Sequence, residues 1–152
     1  MVEIRDPAEL RALIGQEIAV SDWVDVSQDR INQFAETTED RQWIHIDAAR
    51  AAADSPFKTT IAHGFLTLSL VSALARSAVS FAGLRLAINY GLNRVRFVSP
   101  VPSGSRIRGR FSPLAVEDVI DDGVQVTWGV TVERDGGAKP ACVVEWLVRY
   151  YR

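Results

Sequence analysis

The chain has 152 residues, 47% of them hydrophobic and 24% charged, which is the composition of an ordinary globular protein. This length suits one domain with a substantial hydrophobic core, so residues 1–152 are predicted to form a single domain. The formal net charge of -2 argues against nucleic acid as a partner, because nucleic-acid-binding domains usually carry a basic excess.

Cysteine usage and the first residues of the chain bear on its compartment. Cys142 is the only cysteine, which excludes an intrachain disulfide and fits a reducing compartment, and its strand-like surroundings indicate packing. The first fifteen residues contain acidic side chains and lack the apolar stretch of a signal peptide. The longest apolar segment contains Arg76 and is shorter than a membrane span requires. We therefore expect a cytoplasmic protein with no membrane partner.

The N-terminal third predicts two helices and a strand. Asp6 suits the N-cap of a short helix that begins at Pro7, because proline is favoured at the first helical position. Residues 17–26 alternate in part between apolar and polar side chains and are predicted to form one strand. Ser27 can cap a second helix, in which apolar residues recur on one face up to residue 38.

The stretch 38–80 organises the rest of the chain. It begins with a predicted loop that carries Asp40 and His45, and a connector then leads to the tetrapeptide Ile61-Ala62-His63-Gly64. An almost wholly apolar segment follows over residues 65–80 and predicts one long helix, about 25 Å in length at about 1.5 Å per residue. Its apolar side chains surround the helix axis, so we expect the helix to be buried on most sides.

Four strands are predicted after this helix. The third is the clearest, because valines and Trp128 alternate with polar residues and glycine. Glycine-containing turns at 121–123 and 135–137 indicate hairpins, with glycine supplying the positive φ, and Pro100, Pro102 and Gly104 mark another turn. The predicted class is α+β, with an antiparallel meander curved around the long helix in a hot-dog fold. The strands span residues 85–98, 105–117, 124–133 and 141–152.

Two motifs resemble the MaoC-like hydratase family, in particular its single-domain (R)-specific enoyl-CoA hydratases. The first is the spacing D-x4-H-x-D that begins at Asp40, and the second is the I-A-H-G-F-L sequence that opens the apolar helix. The sequence N-Y-G-L-N-R-V-R-F downstream adds to the likeness. One departure lies in the loop, where many members have Asn-Pro-Leu before the histidine and this chain has Gln42-Trp43-Ile44, so Trp43 can alter the pocket.

This resemblance implies a hot-dog homodimer that adds water to trans-2-enoyl-CoA and gives (R)-3-hydroxyacyl-CoA. It places the catalytic aspartate and histidine at Asp40 and His45, and the amide that meets the thioester oxygen at Gly64. A serine that assists the pair in some members aligns with Ser72. The CoA thioester is the substrate, and no cofactor is expected.

The chemistry explains why these residue types are needed. Water must be oriented and deprotonated at C3, C2 must gain a proton, and the thioester oxygen must be stabilised as it gains charge. Asp40 and His45 can exchange protons near neutral pH. The amide of Gly64 would lie at a helix start, where N–H groups lack intrahelical partners and face the positive end of the dipole. Glycine also leaves room for a carbonyl to approach.

The sequence leaves several side chains with two alternative roles. Asp40 could cap a turn, Gly64 could be a turn glycine, Ser72 could serve packing, and His63 could brace the helix start or shape the pocket. Asp47 is expected to cap a short helix, whereas the roles of Asn89, Tyr90 and Asn93 stay open between structure and pocket lining. Arg94 and Arg96 either contact CoA phosphates or belong to a solvated strand face. Two histidines 18 positions apart and a lone cysteine are no usual ligand set, so no metal site is predicted.

Two other functions compete with hydration. Hot-dog thioesterases usually place a carboxylate on or near the central helix, and residues 64–80 contain none. A non-catalytic acyl-CoA-binding subunit would not need both Asp40 and His45 in one chain. The sequence therefore favours the hydratase, and it specifies neither the acyl chain length nor the pathway.

Overall fold

The computed structural model describes residues 1–152 and contains eight strands, five α-helices and one 3₁₀ helix over Pro7–Leu13. The strands are β1 (Val2–Ile4), β2 (Ala19–Val20), β3 (Val24–Val26), β4 (Val79–Phe81), β5 (Leu86–Phe97), β6 (Ser105–Val119), β7 (Gly123–Arg134) and β8 (Cys142–Tyr151). The helices are α1 (Gln28–Thr38), α2 (Trp43–Ile46), α3 (Ala48–Asp54), α4 (Gly64–Ser69) and α5 (Val71–Ala78). None of them is long and apolar enough to cross a membrane.

The main sheet is antiparallel, in the order β2-β6-β7-β8-β5, with β3 also paired to β6. The four long strands are confirmed, but they are not a simple meander, because β5 pairs with β8 and not with β6. The segment between β5 and β6 therefore runs from one edge of the sheet past β8 and β7 to β6. On the way, Pro102 forms an isolated β-bridge with Ile61. Two prolines in this crossover lack the N–H groups that a hairpin ladder would use.

The inner face of the sheet forms the core. Alternate residues of β7 and β8, from Val124 to Val132 and from Cys142 to Tyr150, are all buried, as the alternation predicts. They pack against the buried side of α5, where Leu74 and Ala78 have no exposed surface. Each fully buried aliphatic side chain of this kind stabilises the fold by roughly 1.5–3 kcal/mol.

The central helix is shorter and more exposed than predicted. Helices α4 and α5 form one continuous ladder, because the Leu70 N–H donates to the Leu66 carbonyl at 3.0 Å and Leu70 keeps right-handed helical angles. The helix ends at Ala78, and the following residues form β4, which pairs in parallel with β1. One side is buried while Phe65 is 66% exposed, so the expectation of burial on most sides is wrong for the single chain.

The three predicted helix N-caps are confirmed by the structure. The Ser27 hydroxyl accepts from the Arg30 N–H at 3.2 Å, and the Asp47 carboxylate accepts from the Arg50 N–H at 2.9 Å. The predicted first helix is a 3₁₀ helix, capped by Asp6 as expected. The predicted strand over 17–26 is divided into β2 and β3.

The β6–β7 turn differs from its prediction at the residues of positive φ. Asp121 and Asp122, not Gly123, have φ of 61° and 55°. They lie in the three-residue connection between Val119 and Gly123, which pair with each other in the ladder, and aspartate tolerates the left-handed conformation better than most residues do. The prediction holds in the next hairpin, where Gly136 has φ of 69°.

Strand β5 is the exposed edge of the sheet. It pairs only with β8, and nearly all its residues are exposed. Its exposed large apolar side chains are Leu86, Ile88, Tyr90, Leu92 and Phe97. An edge strand of this length with apolar side chains is usually covered by another chain or another element.

Candidate active site

The site begins where α1 ends. Glu39 takes a left-handed φ of 61°, which ends the helix and turns the chain toward Asp40. Asp40 is exposed on the resulting loop, as predicted. His45 is not on a loop, because it belongs to the short helix α2, and it is only 6% exposed.

Backbone pairing fixes α2 against the segment that precedes the central helix. The Ile61 N–H donates to the Ile44 carbonyl at 3.1 Å, and Nδ1 of His45 lies 2.7 Å from the Ile61 carbonyl oxygen. A carbonyl can only accept, so Nδ1 carries the proton and Nε2 keeps its lone pair. Burial lowers the pKa of His45, which keeps the ring neutral near pH 7 although the Ile61 carbonyl and the Asp40 charge oppose the shift.

His63 joins the two catalytic candidates. Its Nε2 lies 2.9 Å from the Asp40 backbone carbonyl, and its ring stacks on the His45 ring with 3.7 Å between centroids. One carboxylate oxygen of Asp40 and one nitrogen of each histidine lie within 4.8 Å of one another. The fold thus brings Asp40 and His45 together, and His63 braces both of them.

Gly64 is the first residue of α4, so its N–H has no intrahelical partner. It lines a cavity of about 290 Å³ together with His45 and Thr67. A Cβ at Gly64 would lie 2.7 Å from the Phe97 ring, so packing alone favours glycine at this position. The cavity is lined by His45, Phe57, Ile61, Ala62, Gly64, Thr67, Phe97, Val98, Ser99, Pro100, Val101 and Ala141.

Ser72 is not in this cavity. It lies two turns further along the central helix, where its hydroxyl accepts from the Asn89 amide at 3.3 Å. It lines a second cavity of about 510 Å³ between α5 and the sheet, and a third of about 350 Å³ beside β5. Asn89 lines both of these cavities and Tyr90 the third, whereas Asn93 is exposed and lines none of the three.

Arg94 and Arg96 are exposed on β5 and line none of the three cavities. The Arg96 guanidinium donates to the backbone carbonyl of Val95 at 2.7 Å. Trp43, the residue that departs from the family's loop, stacks with the Arg50 guanidinium 4.4 Å from its ring centroid. It therefore packs on α3 and does not line the cavity of His45.

Two residues of the site, Gln28 and Thr67, were not predicted from the sequence. The Gln28 side chain donates to the His45 carbonyl at 2.7 Å and accepts from the Thr60 hydroxyl, so it ties α1 to α2 and to the connector. Nothing in the sequence around Gln28 indicated this contact. Thr67 lines the cavity because it follows Gly64 by three positions and so lies on the same face of the helix. This spacing in the sequence could have predicted its place in the site.

The antiparallel sheet curved against one central helix is the architecture of hot-dog dehydratases. Residues 9–135 match the family described as "MaoC like domain". The chain is 53% identical over 143 residues to 3-hydroxyacyl-thioester dehydratase Z of Mycobacterium tuberculosis (strain H37Rv), covering 94% of each chain. It is 43% identical to Nodulation protein N of Rhizobium meliloti (strain 1021), covering 92% of this chain and 88% of the other.

A solved structure agrees with these sequence matches. An (R)-hydratase from A. caviae involved in PHA biosynthesis superposes with a TM-score of 0.66 at 25% identity, covering 89% of this chain and 94% of the other. The chain belongs to the MaoC-like dehydratase family. It is a hydro-lyase, a hydratase or dehydratase of that family.

Proposed function

We propose that this enzyme hydrates trans-2-enoyl-CoA to (R)-3-hydroxyacyl-CoA, and catalyses the reverse dehydration. The observation that carries the proposal is the approach of Asp40 and His45 beside the cavity that contains Gly64. The pair is separated in sequence by four residues and brought together by α2 and His63.

The dyad would act on one water molecule. That water can donate one O–H to the Asp40 carboxylate and the other to Nε2 of His45, which aims an oxygen lone pair at C3. One of the two residues takes the proton that the water loses, and C2 receives a proton in turn. No proton is left over, so the cycle returns both side chains to their starting state.

The Gly64 amide would stabilise the thioester oxygen as it gains charge. Its N–H is free at the start of a helix that continues for 15 residues through Ala78. Preorganised donors of this kind are worth roughly 3 kcal/mol in comparable oxyanion sites.

The reaction itself can be tested with crotonyl-CoA. We expect the conjugated enoyl absorbance to disappear without release of free thiol, and chiral analysis to give the (R)-3-hydroxy product. Release of thiol would show a thioesterase instead, and the absence of both changes would show a binding protein. The (S) product would overturn the stereochemical proposal alone.

The acyl chain is proposed to occupy the 510 Å³ cavity. Ten of its 14 lining residues are hydrophobic, including Trp128 and Tyr150, whose indole N–H and hydroxyl form a 3.0 Å hydrogen bond. The indole N–H and the phenol oxygen are thus hydrogen-bonded to each other, so the two rings present apolar surface to the cavity. Such a surface suits a hydrocarbon chain. Ser72 and Asn89 contribute polar side chains to the lining of this cavity.

Filling this cavity should change the preferred chain length. Ala75 lines the cavity from α5, so Ala75→Leu fills part of the space for the acyl chain with about three additional carbon atoms. We expect kcat/KM for a ten-carbon enoyl-CoA to fall at least about tenfold, which corresponds to about 1.4 kcal/mol, while crotonyl-CoA turnover is preserved. The matched control is Ala73→Leu on the same helix, which does not line the cavity. Equal losses for both substrates would remove the acyl chain from this cavity.

Assembly is proposed to be a homodimer in which β5 strands meet. The exposed apolar side chains of β5 and the two cavities beside it support this arrangement. Light scattering is expected to give twice the chain mass, and Leu92→Lys, placed on the exposed edge, is expected to shift the protein toward monomer. An active monomer at assay concentration would refute the proposal.

Strand β5 also carries the exposed side chains of Arg94 and Arg96. We propose that these two arginines contact the phosphates of CoA.

A further inference from the structure

His63 contacts both members of the proposed dyad but takes no part in the proton transfers of hydration. It is the N-cap residue of the central helix, yet its side chain makes no capping hydrogen bond there. Instead its Nε2 lies 2.9 Å from the backbone carbonyl oxygen of Asp40, which is 23 positions away in the sequence. A carbonyl oxygen only accepts, so this nitrogen carries a hydrogen and donates it. The His63 side chain therefore ties the Asp40 loop to the start of the central helix.

This contact is the one hydrogen bond that the chain makes to Asp40. The residue is exposed on the loop between α1 and α2, and neither its own N–H nor its carboxylate has a partner within the chain. One carboxylate oxygen of Asp40 nevertheless lies within 4.8 Å of a nitrogen of each histidine. A general base must stay within hydrogen-bond reach of the proton that it takes. The position of the Asp40 carboxylate therefore depends on the bond from His63 to its backbone.

The His63 ring is itself held firmly by its neighbours. It is stacked on the His45 ring with 3.7 Å between centroids and 25° between planes. The Phe34 ring packs against it with 5.0 Å between centroids. Because the ring lies between fixed neighbours, the N–H that it presents to the Asp40 carbonyl has a defined direction.

Packing alone gives no reason for a histidine at this position. Nδ1 of His63 is fully buried and has no hydrogen-bond partner, and the residue as a whole is 2% exposed. Most buried polar atoms in proteins are hydrogen-bonded, and one that is not lowers the stability of the fold. An apolar side chain of similar size would avoid this loss. A residue that lowers stability is expected where the function of the protein requires it.

We propose that His63 is a positioning residue for hydration, whose Nε2–H holds the Asp40 carbonyl and so keeps the Asp40 carboxylate beside the water that His45 also binds. This inference rests on the proposed function, because it needs Asp40 to act on that water. His63 does not line the cavity that contains His45 and Gly64, so it is not expected to contact the substrate. Its loss should therefore lower kcat and leave KM unchanged.

The test compares His63→Gln with His63→Met in the whole purified protein, because these two side chains have similar length and volume. Glutamine keeps an N–H that can reach the Asp40 carbonyl, methionine has none, and both remove the ring. We expect His63→Met to lower kcat for crotonyl-CoA at least about tenfold with KM unchanged within about twofold, and His63→Gln to keep kcat within about threefold of wild type. Urea unfolding should show His63→Met to be at least as stable as His63→Gln, since methionine leaves no polar atom buried.

A double-variant cycle shows whether His63 acts through Asp40. In the Asp40→Asn background, His63→Met is expected to change the remaining turnover by no more than about twofold, because the carboxylate that it positions is already gone. If His63→Met does not fold, His63→Phe takes its place with the same expectations, since phenylalanine keeps a ring beside Phe34 and lacks the N–H.

Full turnover in folded His63→Met, equal losses in the Gln and Met variants, or an undiminished loss in the Asp40→Asn background would each overturn the role of His63. A rise in KM, or a loss of turnover that follows the loss of unfolding free energy, would overturn it in favour of a purely structural role. If Asp40→Asn itself keeps near-native turnover, the proposed dyad fails and this inference fails with it. An inactive Asp40→Asn beside a fully active His63→Met would reject this inference alone.

Discussion

Replacing Asp40 by Asn or His45 by Gln is expected to lower the hydration rate of crotonyl-CoA by about 10² or more. This is the scale of general acid–base catalysis, and each variant keeps a similar side-chain shape while removing a proton acceptor. Asp40 is exposed, so its variant should fold without loss of core packing. Turnover by purified variants, with circular dichroism to monitor folding, provides the measurement.

Because His45 is buried, loss of activity in His45→Gln is harder to assign to catalysis than loss of activity in Asp40→Asn. The ring is only 6% exposed and is stacked on His63, so His45→Gln can also disturb the connection between α2 and Ile61. Asp47→Asn is the matched control, because Asp47 is an exposed aspartate on the same segment and asparagine caps helices equally well. Near-native turnover in folded Asp40→Asn would end the dyad assignment, as would an equal loss in Asp47→Asn.

Blocking the Gly64 amide should have an effect of similar size. Gly64→Val keeps the N–H but places a branched side chain where the thioester is proposed to lie, and turnover is expected to fall by about 10² or more. The same side chain would collide with the Phe97 ring, because even a Cβ comes within 2.7 Å of it. Loss of activity in this variant alone therefore has two possible causes.

A second pair of variants separates these causes. Phe97→Ala removes the ring, and Phe97 is 46% exposed, so the change leaves the core intact. If Gly64→Ala in the Phe97→Ala background still lowers turnover relative to Phe97→Ala alone, the methyl group obstructs the substrate. Full recovery in the double variant would assign the glycine to packing against Phe97. Ala73→Val on the central helix is the control, because Ala73 lines none of the three cavities.

Local patterns predicted most of the fold. The alternation in β7 and β8 fixed which residues form the core, and the caps at Ser27 and Asp47 marked two helix starts. Such signals are local, because capping and side-chain alternation depend on residues a few positions apart. The β5–β8 pairing was missed because strand order depends on contacts between distant segments that no window of sequence contains.

The candidate site was also predictable only in part, through its local motifs and not through its long-range contacts. Asp40, His45 and Gly64 are site residues predicted from two motifs, and all three lie near the start of the central helix. The stacking of His63 on His45 was not predictable, since 17 residues, including helix α3, intervene between them. Ser72 shares the helix with Gly64, but within the single chain it lines other cavities than His45 does.

The pairing of β5 with β8 also sets an order for folding. Leu86 lies opposite Tyr151 in that ladder, so the first long strand after the central helix pairs with a segment some sixty residues further along the chain. Closing so long a loop costs entropy before any contact repays it, and folds rich in such contacts form slowly. During synthesis β5 therefore has no strand partner within the chain until β8 is available. A chaperone that shields β5 would act on the interval in which the chain is most prone to aggregate.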